Sequence, residues 1–220
     1  MLSNSTEDYL KAMYELSQED GRAVTTAIAS RLGVSPASVT GMLRKMAAQR
    51  PQLVAYQKHR GATLTAEGRR RVLEIIRHHR LIETFLHQTL GLPWDLVHAE
   101  AERMEHALSE DLEARIDEHL GFPSADPHGG PIPTRDGTLP PRVESRLCDL
   151  PEQTAARVAR VPDHNPDFLR YLETLGLIPG APVTLVRRDP FEGPLHLRVG
   201  NLDRSIGLQA ARQVYVTPLD

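Results

Sequence analysis

Apolar positions along the chain first recur with a helical period. In "TEDYLKAMYELSQEDG", Leu10, Met13, Tyr14 and Leu16 share one face, with Thr6 a candidate N-cap and Gly21 a candidate stop. "TTAIASRL" and "SPASVTGMLRKMAAQ" predict two more helices parted by Gly33-Val34. Ser35 suits the N-cap, and Pro36 suits the first helical position, where a missing N–H costs nothing. Val39, Met42, Leu43 and Met46 are the predicted buried side of the second of these. "LVAYQKHRGATLTAEG" reads as two short strands about a basic, glycine-containing turn. From about Ala66 a long helix runs to Leu90, ended by Gly91-Leu92-Pro93. Asp95 is a candidate cap for the next helix, which continues towards His119 until Gly121 and Pro123 stop it.

Residues 121–142 are too dense in Pro and Gly for regular structure. Beyond them "NPDFLRYLETLG" predicts one short helix. "APVTLVRR", "PLHLRVG", "RSIGLQ" and "QVYVTPL" predict short strands at turn-separated intervals, the pattern of a small β-barrel. The fold class is therefore mainly α with a small β domain. Its expected divisions are a winged helix-turn-helix at 1–70, a helical domain at 71–122, a Pro/Gly-rich linker at 123–145 and the β domain at 146–220.

With 220 residues, 40% hydrophobic and 25% charged, the chain has the composition of a globular protein of one large or two to three small domains. No apolar run is long enough for a membrane span, and "MLSNSTEDYL" has neither the basic region nor the apolar core of a signal peptide. A lone cysteine, Cys148, fits a reducing cytoplasm, the expected location. The net charge of −3 hides an asymmetry. Residues 1–80 carry 13 Lys/Arg against 7 Asp/Glu, residues 81–145 carry 4 against 13, and the remainder 9 against 9. A basic head joined to an acidic middle suits an anionic partner for one and a cation for the other.

The anionic partner implied is double-stranded DNA. Two helices divided by a glycine turn, then a hairpin with a basic tip, make a winged helix-turn-helix. With its apolar side buried, the second helix turns Ser35, Pro36, Ala37, Ser38, Thr40, Gly41, Arg44 and Lys45 outward. Small and hydroxyl-bearing residues at a helix N-terminus suit close entry into a major groove. Arg44 and Lys45 suit phosphates, and Lys58, His59 and Arg60 on the wing suit backbone or minor groove. No Asn, Gln or Arg stands at the helix front, so shape readout carries much of the specificity.

The cation points to "HAEAERMEH", residues 98–106, where His98, Glu102, Glu105 and His106 project to one side of a helix. A solvated face of an amphipathic helix is polar there too. Three features favour a cation: two histidines among four positions, a repeat of the i,i+4 pairing by His79 and Glu83 on the preceding helix, and carboxylates with almost no local Lys or Arg. Like charges so close are costly unless a cation joins them. Carboxylate with imidazole and no thiolate suits Mn²⁺, Fe²⁺ or Co²⁺, with Zn²⁺ also admissible. Neither HExxH nor HxxEH occurs, and paired Glu-x-x-His motifs are absent.

"TEDYLKAMYEL", "SPASVTGMLRKM" and "HHRLIETFLHQTLGL…VHAEAERMEHALS" together resemble the diphtheria-toxin-repressor-like family of iron- and manganese-dependent transcriptional regulators. The resemblance spans nearly the whole chain, and its third stretch is far more specific than a helix-turn-helix match. It implies that 71–122 binds metal and dimerises, and that 146–220 is SH3-like. It implies one metal site of His79, Glu83 and His98, and a second of Glu102, Glu105 and His106 with Asp8. Iron-type members place sulfur ligands where Asp8 and Glu102 stand, so the carboxylates here resemble manganese-type members. Lys11 stands where manganese-type members without a third domain carry a further acidic ligand. In the longer members a Glu and a Gln from the third domain complete the His79-type site; the nearest counterparts are His164 and Asp167 in "DHNPDF". Zn²⁺, Co²⁺ or Cd²⁺ would substitute in vitro.

The function implied is a repressor that binds a palindromic operator as a homodimer in response to Mn²⁺ or Fe²⁺ and controls metal homeostasis genes. A metal shared between Asp8 and the acidic middle would tie the two halves into one DNA-fitting geometry. The alternative is a regulator sensing an organic effector, whose operator binding would ignore a chelator. A metal-dependent enzyme would need a nucleophile and a substrate pocket, for which no motif stands in the sequence.

Overall fold

In the computed structural model, which describes residues 2–219, the chain divides into two compact units. One comprises Met1–His78 with Pro133–Thr138, the other His79–Ile132 with Leu139–Asp220.

The first unit opens with α1 (Asn4–Asp20), α2 (Thr25–Leu32) and α3 (Pro36–Ala48). Ser3, not Thr6, caps α1: the Ser3 hydroxyl accepts from the Thr6 backbone N–H, while Thr6 is buried within the first turn. Gly21 ends the helix at φ 68°. Gly33, at φ 65°, turns α2 into α3, a left-handed position that a side chain would strain. Ser35 caps α3 by accepting from Ser38, with Pro36 in its first turn. Val39, Leu43 and Met46 are buried with Leu10, Met13 and Ile28, whereas Met42 is only half-buried. Antiparallel β1 (Val54–Gln57) and β2 (Gly61–Leu64) form the wing, closed by Lys58, His59 and Arg60.

α4 (Ala66–Gln88) crosses from the first unit into the second. It ends two residues before the expected Leu90. Thr65 starts it, its hydroxyl accepting from Gly68 N–H at 3.1 Å. A Cβ on Gly68 would lie 2.0 Å from the Leu53 carbonyl oxygen, backbone against backbone. Gly68→Ala is therefore expected to cost ~1–3 kcal/mol by overpacking, read as a lowered urea midpoint; an unchanged midpoint would show that the helix start shifts freely.

In the second unit the expected single helix from Asp95 to His119 is broken. α5 (Val97–Met104) passes into a 3₁₀ turn, Glu105–Ala107, and α6 (Glu110–His119) begins afresh with Ser109 accepting from Leu112 N–H. The extra cap is favourable because Leu108 and Ser109 leave the helical path. Asp95 caps nothing; Leu96 precedes α5 without a side-chain cap, and the Asp95 carboxylate takes Arg170 at 2.5 Å. Ile82, Leu86, Val97 and Ala101 bury one face of α4 against α5, and Leu81, Ile116 and Ile132 join α4 to α6 and the loop beyond.

That loop, residues 121–132, is irregular as expected but ordered by specific bonds. Asp126 accepts from His128 and Gly130, and the Val161 N–H donates to His128 O. Then follow β3 (Ser145–Arg146), β4 (Thr154–Arg160), α7 (Pro166–Leu175), β5 (Pro182–Arg188), β6 (Leu195–Val199), β7 (Leu202–Ile206), the single turn α8 (Leu208–Ala211) and β8 (Tyr215–Pro218). The strands pair antiparallel in the order β3-β8-β4-β5-β6-β7. The domain is the small antiparallel β domain expected, its ladder running from β3 to β7. Ala156, Val158, Leu185, Leu197 and Val216 fill its core with Leu169 and Leu172 of α7. Among the described residues no helix is long and apolar enough to cross a membrane.

Candidate metal centre

The centre lies in the second unit. His79 and Glu83 occupy successive turns of α4, so their side chains share a face. α5 packs alongside and presents His98. Three donor atoms meet there. His79 Nε2 is 3.0 Å from Glu83 Oε1 and 3.0 Å from His98 Nδ1, and His98 Nδ1 is 3.1 Å from Glu83 Oε1. This nearly equilateral triangle has the spacing of neighbouring donors around one divalent ion, since ligands at roughly 2.1–2.2 Å in octahedral array lie about 3.0–3.1 Å apart. A fourth group joins from the segment between β4 and α7: Asp163 Oδ2 is 3.8 Å from His98 Nδ1. His79, Glu83, His98 and Asp163 form one cluster of potential ligand atoms within 4.8 Å of one another. The residues present thus fit a hard-to-borderline divalent cation.

His164 and Asp167 are a correction. Asp163 takes the place expected of them: His164 is exposed, 3.9 Å from Asp163, and Asp167 is exposed and pairs with Arg170. Asn165 caps α7 through its side chain, and Asp167 stands in that helix's first turn. The Asn-Pro-Asp segment therefore starts a helix.

The expected second set is built around the 3₁₀ turn rather than one helical face. Glu105 is fully buried, its Oε2 2.5 Å from His79 Nδ1. Glu102 stays exposed on α5, 3.9 Å from both His79 Nδ1 and His98 Nε2. His106 Nε2 lies 3.7 Å from Glu105 Oε1. The imidazole of His79 thus faces both sets, Nε2 toward Glu83 and Nδ1 toward Glu105. Asp8 sits half-buried on α1, with Lys11 one turn along, in the first unit.

Two further residues, which no sequence motif announces, are Asp126 and His128. Both are buried beside Glu83, with His128 Nδ1 3.7 Å from Glu83 Oε2. Burial pushes the Glu83 carboxyl up, but the His79 charge and the close approach of His128, His79 and His98 outweigh it and hold the group well below the usual range. Burial opposes charge on His128, yet the nearby Glu83 carboxylate, with Asp126 and Asp163, moves it up to about 9. Burial and the Glu83 charge push Asp126 up to about 6 against Arg80 and His128. Their only signal in the sequence is an Asp and a His set among the Pro and Gly of "ADPHGGP".

The first unit carries the candidate DNA face. Ser35, Pro36, Ala37, Ser38, Gly41, Arg44 and Lys45 are exposed on α3, as are Lys58, His59 and Arg60 on the wing; Thr40 is half-buried. The hydroxyls of Ser35 and Ser38 bond each other at 2.9 Å, and Thr40 Oγ1 donates to Pro36 O at 3.0 Å. Three hydroxyls are thus already engaged within the helix, while both cations point to solvent.

Comparison with known proteins follows the same divisions. Residues 1–62 match the N-terminal DNA binding domain of iron dependent repressors, 65–134 their metal binding and dimerisation domain, and 145–218 the FeoA domain. The iron-dependent repressor IdeR of Mycobacterium leprae is 34% identical over 196 residues, 84% of each chain. A solved manganese-dependent transcriptional repressor in complex with manganese is 38% identical with a TM-score of 0.89, over 97% of this chain and 100% of that one. ScaR with bound Cd²⁺ is 36% identical with a TM-score of 0.83, over 97% and 99%.

Proposed function

The chain belongs to the iron-dependent repressor family, metal-sensing transcriptional regulators that bind DNA as dimers, and from that premise we propose that it represses metal homeostasis genes in response to Mn²⁺ first and Fe²⁺ second. Members of this family are regulators, not enzymes. The observation that carries the reading is the 3.0–3.1 Å triangle of His79 Nε2, Glu83 Oε1 and His98 Nδ1. His79, Glu83, His98 and Asp163 hold one ion in this reading; Asp8, Glu102, Glu105 and His106 hold another. Oxygen donors at Asp8 and Glu102, where iron-type members carry sulfur, favour Mn²⁺. Known relatives named for iron and for manganese, and one solved with Cd²⁺, support the range of metals.

When bound, a divalent cation supplies the positive charge that lets these carboxylates stand together. His79, placed between Glu83 and Glu105, keeps the two sets in register. Asp8 comes from the DNA-reading unit and its three partners from the acidic one, so ligation by all four favours a single placement of α3 for DNA. Exposed Leu90, Leu96, Met104 and Leu112 on and around the helices of the second unit support pairing of two copies there. Two-fold pairing spaces the two α3 helices about one DNA turn apart, on a palindromic operator. The site of action is the cytoplasm, where the chromosome is.

Calorimetric titration of chelator-treated protein with Mn²⁺, Fe²⁺ and Zn²⁺, followed by mobility shift on its own promoter with and without each, tests this. Tight binding that switches on DNA retention is expected, with Mn²⁺ ranked first; retention indifferent to metal would return the reading to an organic effector. Within that assay, Arg44→Ala and Lys45→Ala are each expected to weaken all sequences alike and to flatten the slope of log affinity against log salt by about 0.9. An unchanged slope would place the DNA face elsewhere.

A further inference from the structure

Asp95, expected to cap α5, gives its carboxylate to α7 instead. The side chain is 10% exposed, and Oδ2 takes Arg170 Nη1 at 2.5 Å. A buried carboxylate is costly unless it is paired, so Asp95 fixes where the Arg170 guanidinium must lie. The other terminal nitrogen, Nη2, donates to Asp167 Oδ1 within α7. That second pair stands in solvent and contributes little by itself. It holds the planar fork in the orientation that reaches Asp95.

The two ends of this pair stand beside two proposed ligands on different elements. Asp95 lies three residues before His98, just ahead of α5, and Arg170 lies seven residues after Asp163, on α7. The segment that carries Asp163 is neither helix nor strand, so its place depends on its two ends. At one, the Val161 N–H donates to His128 O at 2.9 Å. At the other, Asn165 caps α7, and Leu169 and Leu172 bind that helix to its own domain. Trp94, next to Asp95, is 7% exposed in the same apolar cluster, which seats the approach to α5 against the FeoA-like domain. Apolar packing is non-directional, whereas a charge-assisted guanidinium bond fixes direction as well as contact. Direction matters here: Asp163 Oδ2 stands 3.8 Å from His98 Nδ1, and a ligand set tolerates misplacement of only about 0.5 Å.

We propose that Arg170 is a positioning residue for metal sensing: clamped to Asp95, it sets α7 against the start of α5 and so brings Asp163 to His98. A third domain already aligned in this way delivers its ligand with little ordering left to do on binding, which raises affinity. No motif announces the pair, whose partners lie 75 residues apart. The inference rests on the reading of His79, Glu83, His98 and Asp163 as one centre, and the titration of the parent protein reports on that reading separately.

The experiment is calorimetric titration of the chelator-treated full-length protein with Mn²⁺, beside urea unfolding and the emission of Trp94, the only tryptophan in the chain. Asp163→Ala, titrated first, marks which binding step belongs to the His79-type centre. Arg170→Met keeps the stem and removes the fork; it is expected to weaken that step by about 10-fold, the lower end for outer partners of a ligand. It also strands Asp95, so Arg170→Met is measured again together with Asp95→Asn. Neutralising both partners should restore the urea midpoint but not the affinity. Arg170→Lys, a point charge in place of a fork, should recover part of the affinity. Added to Asp163→Ala, Arg170→Met should cost nothing further, because both act through one ligand. Trp94 emission without metal should remain that of a buried indole throughout. Parental affinity in Arg170→Met, alone and with Asp95→Asn, overturns the proposal, and so does a further loss of about 10-fold in the Asp163→Ala background. Emission of an exposed indole also overturns it, by making the pair a tether for the whole domain instead of a guide for one ligand. No Mn²⁺ binding by the parent overturns the centre itself and the proposal with it.

Discussion

His79→Ala is expected to lose metal-responsive DNA retention altogether and to destabilise the metal-free protein at the same time. One ring serves both proposed sets, with Nε2 3.0 Å from Glu83 and Nδ1 2.5 Å from Glu105. Outer partners of a metal ligand already cost 10–100-fold in affinity when removed, so loss of the ligand itself is expected to cost at least ~100-fold. The stability loss has a separate origin. Glu83 and Glu105 are 0% and 1% exposed, and removing the imidazole takes a neighbouring polar ring from two carboxylates held away from water. Breaking a buried charged pair typically costs ~3–5 kcal/mol, here reduced by the contacts that remain, Glu83 with His98 and Glu105 with His106. Calorimetric titration with Mn²⁺ and urea unfolding in chelator measure the two effects independently. His79→Gln, which keeps polar atoms near both carboxylates, should recover part of the stability and none of the tight binding. A His79→Ala protein with parental affinity and midpoint would show that the ring is only packing.

Much of this arrangement was legible in the sequence. Ser35-Pro36 after Gly33, and Lys58-His59-Arg60 between two strand patterns, are local signals whose meaning does not depend on the rest of the fold. His79 with Glu83, and His98 with Glu105, were legible because a helix turns spacing into direction. Where the chain leaves the helix that conversion fails. The segment between β4 and α7 has no period, so nothing local distinguishes Asp163 from His164 or Asp167, and only tertiary packing selects Asp163. Glu105 and Glu102 were equivalent on an ideal helix; the 3₁₀ turn buries one and exposes the other.

Three misses have different physical causes. Ser109 followed by Glu110 and Asp111 is a good N-terminal signal, but the apolar period of Val97, Ala101, Met104 and Leu108 runs smoothly into it and masks the break. β4 (Thr154–Arg160) alternates Ala156 and Val158 inward with Arg157 outward, a pattern too poor in large β-branched residues to announce a strand. Asp126 and His128 lie in a Pro/Gly run whose composition suggests a linker. Burial there comes from backbone hydrogen bonds to Asp126 and Val161, which leave no hydrophobic pattern to read.

Asp8→Ala is expected to separate metal binding from metal response. In the proposed mechanism Asp8 is the one ligand drawn from the DNA-reading unit, so its loss leaves Glu102, Glu105 and His106 as a weakened set and leaves His79, Glu83, His98 and Asp163 intact. Mn²⁺ should therefore still bind at the His79-type centre, while the gain in operator affinity on adding Mn²⁺ falls from on the order of 10–100-fold, the usual span of a coupling free energy between sites, to near unity. Affinity without metal should not change, because the α3 and wing surfaces are untouched. Asp8→Asn keeps an oxygen donor and the shape but removes the charge, and an intermediate response is expected. Mobility shifts with and without Mn²⁺, run beside calorimetric titration of the same preparations, read both quantities. The pair matters because each part alone has another explanation: lost response with lost binding at the His79-type centre would mean a general collapse of the acidic unit. A full response in Asp8→Ala would leave the coupling to some other contact, and the metal ligated within the acidic unit would then act on α3 through α4 (Ala66–Gln88), the helix that runs through both units.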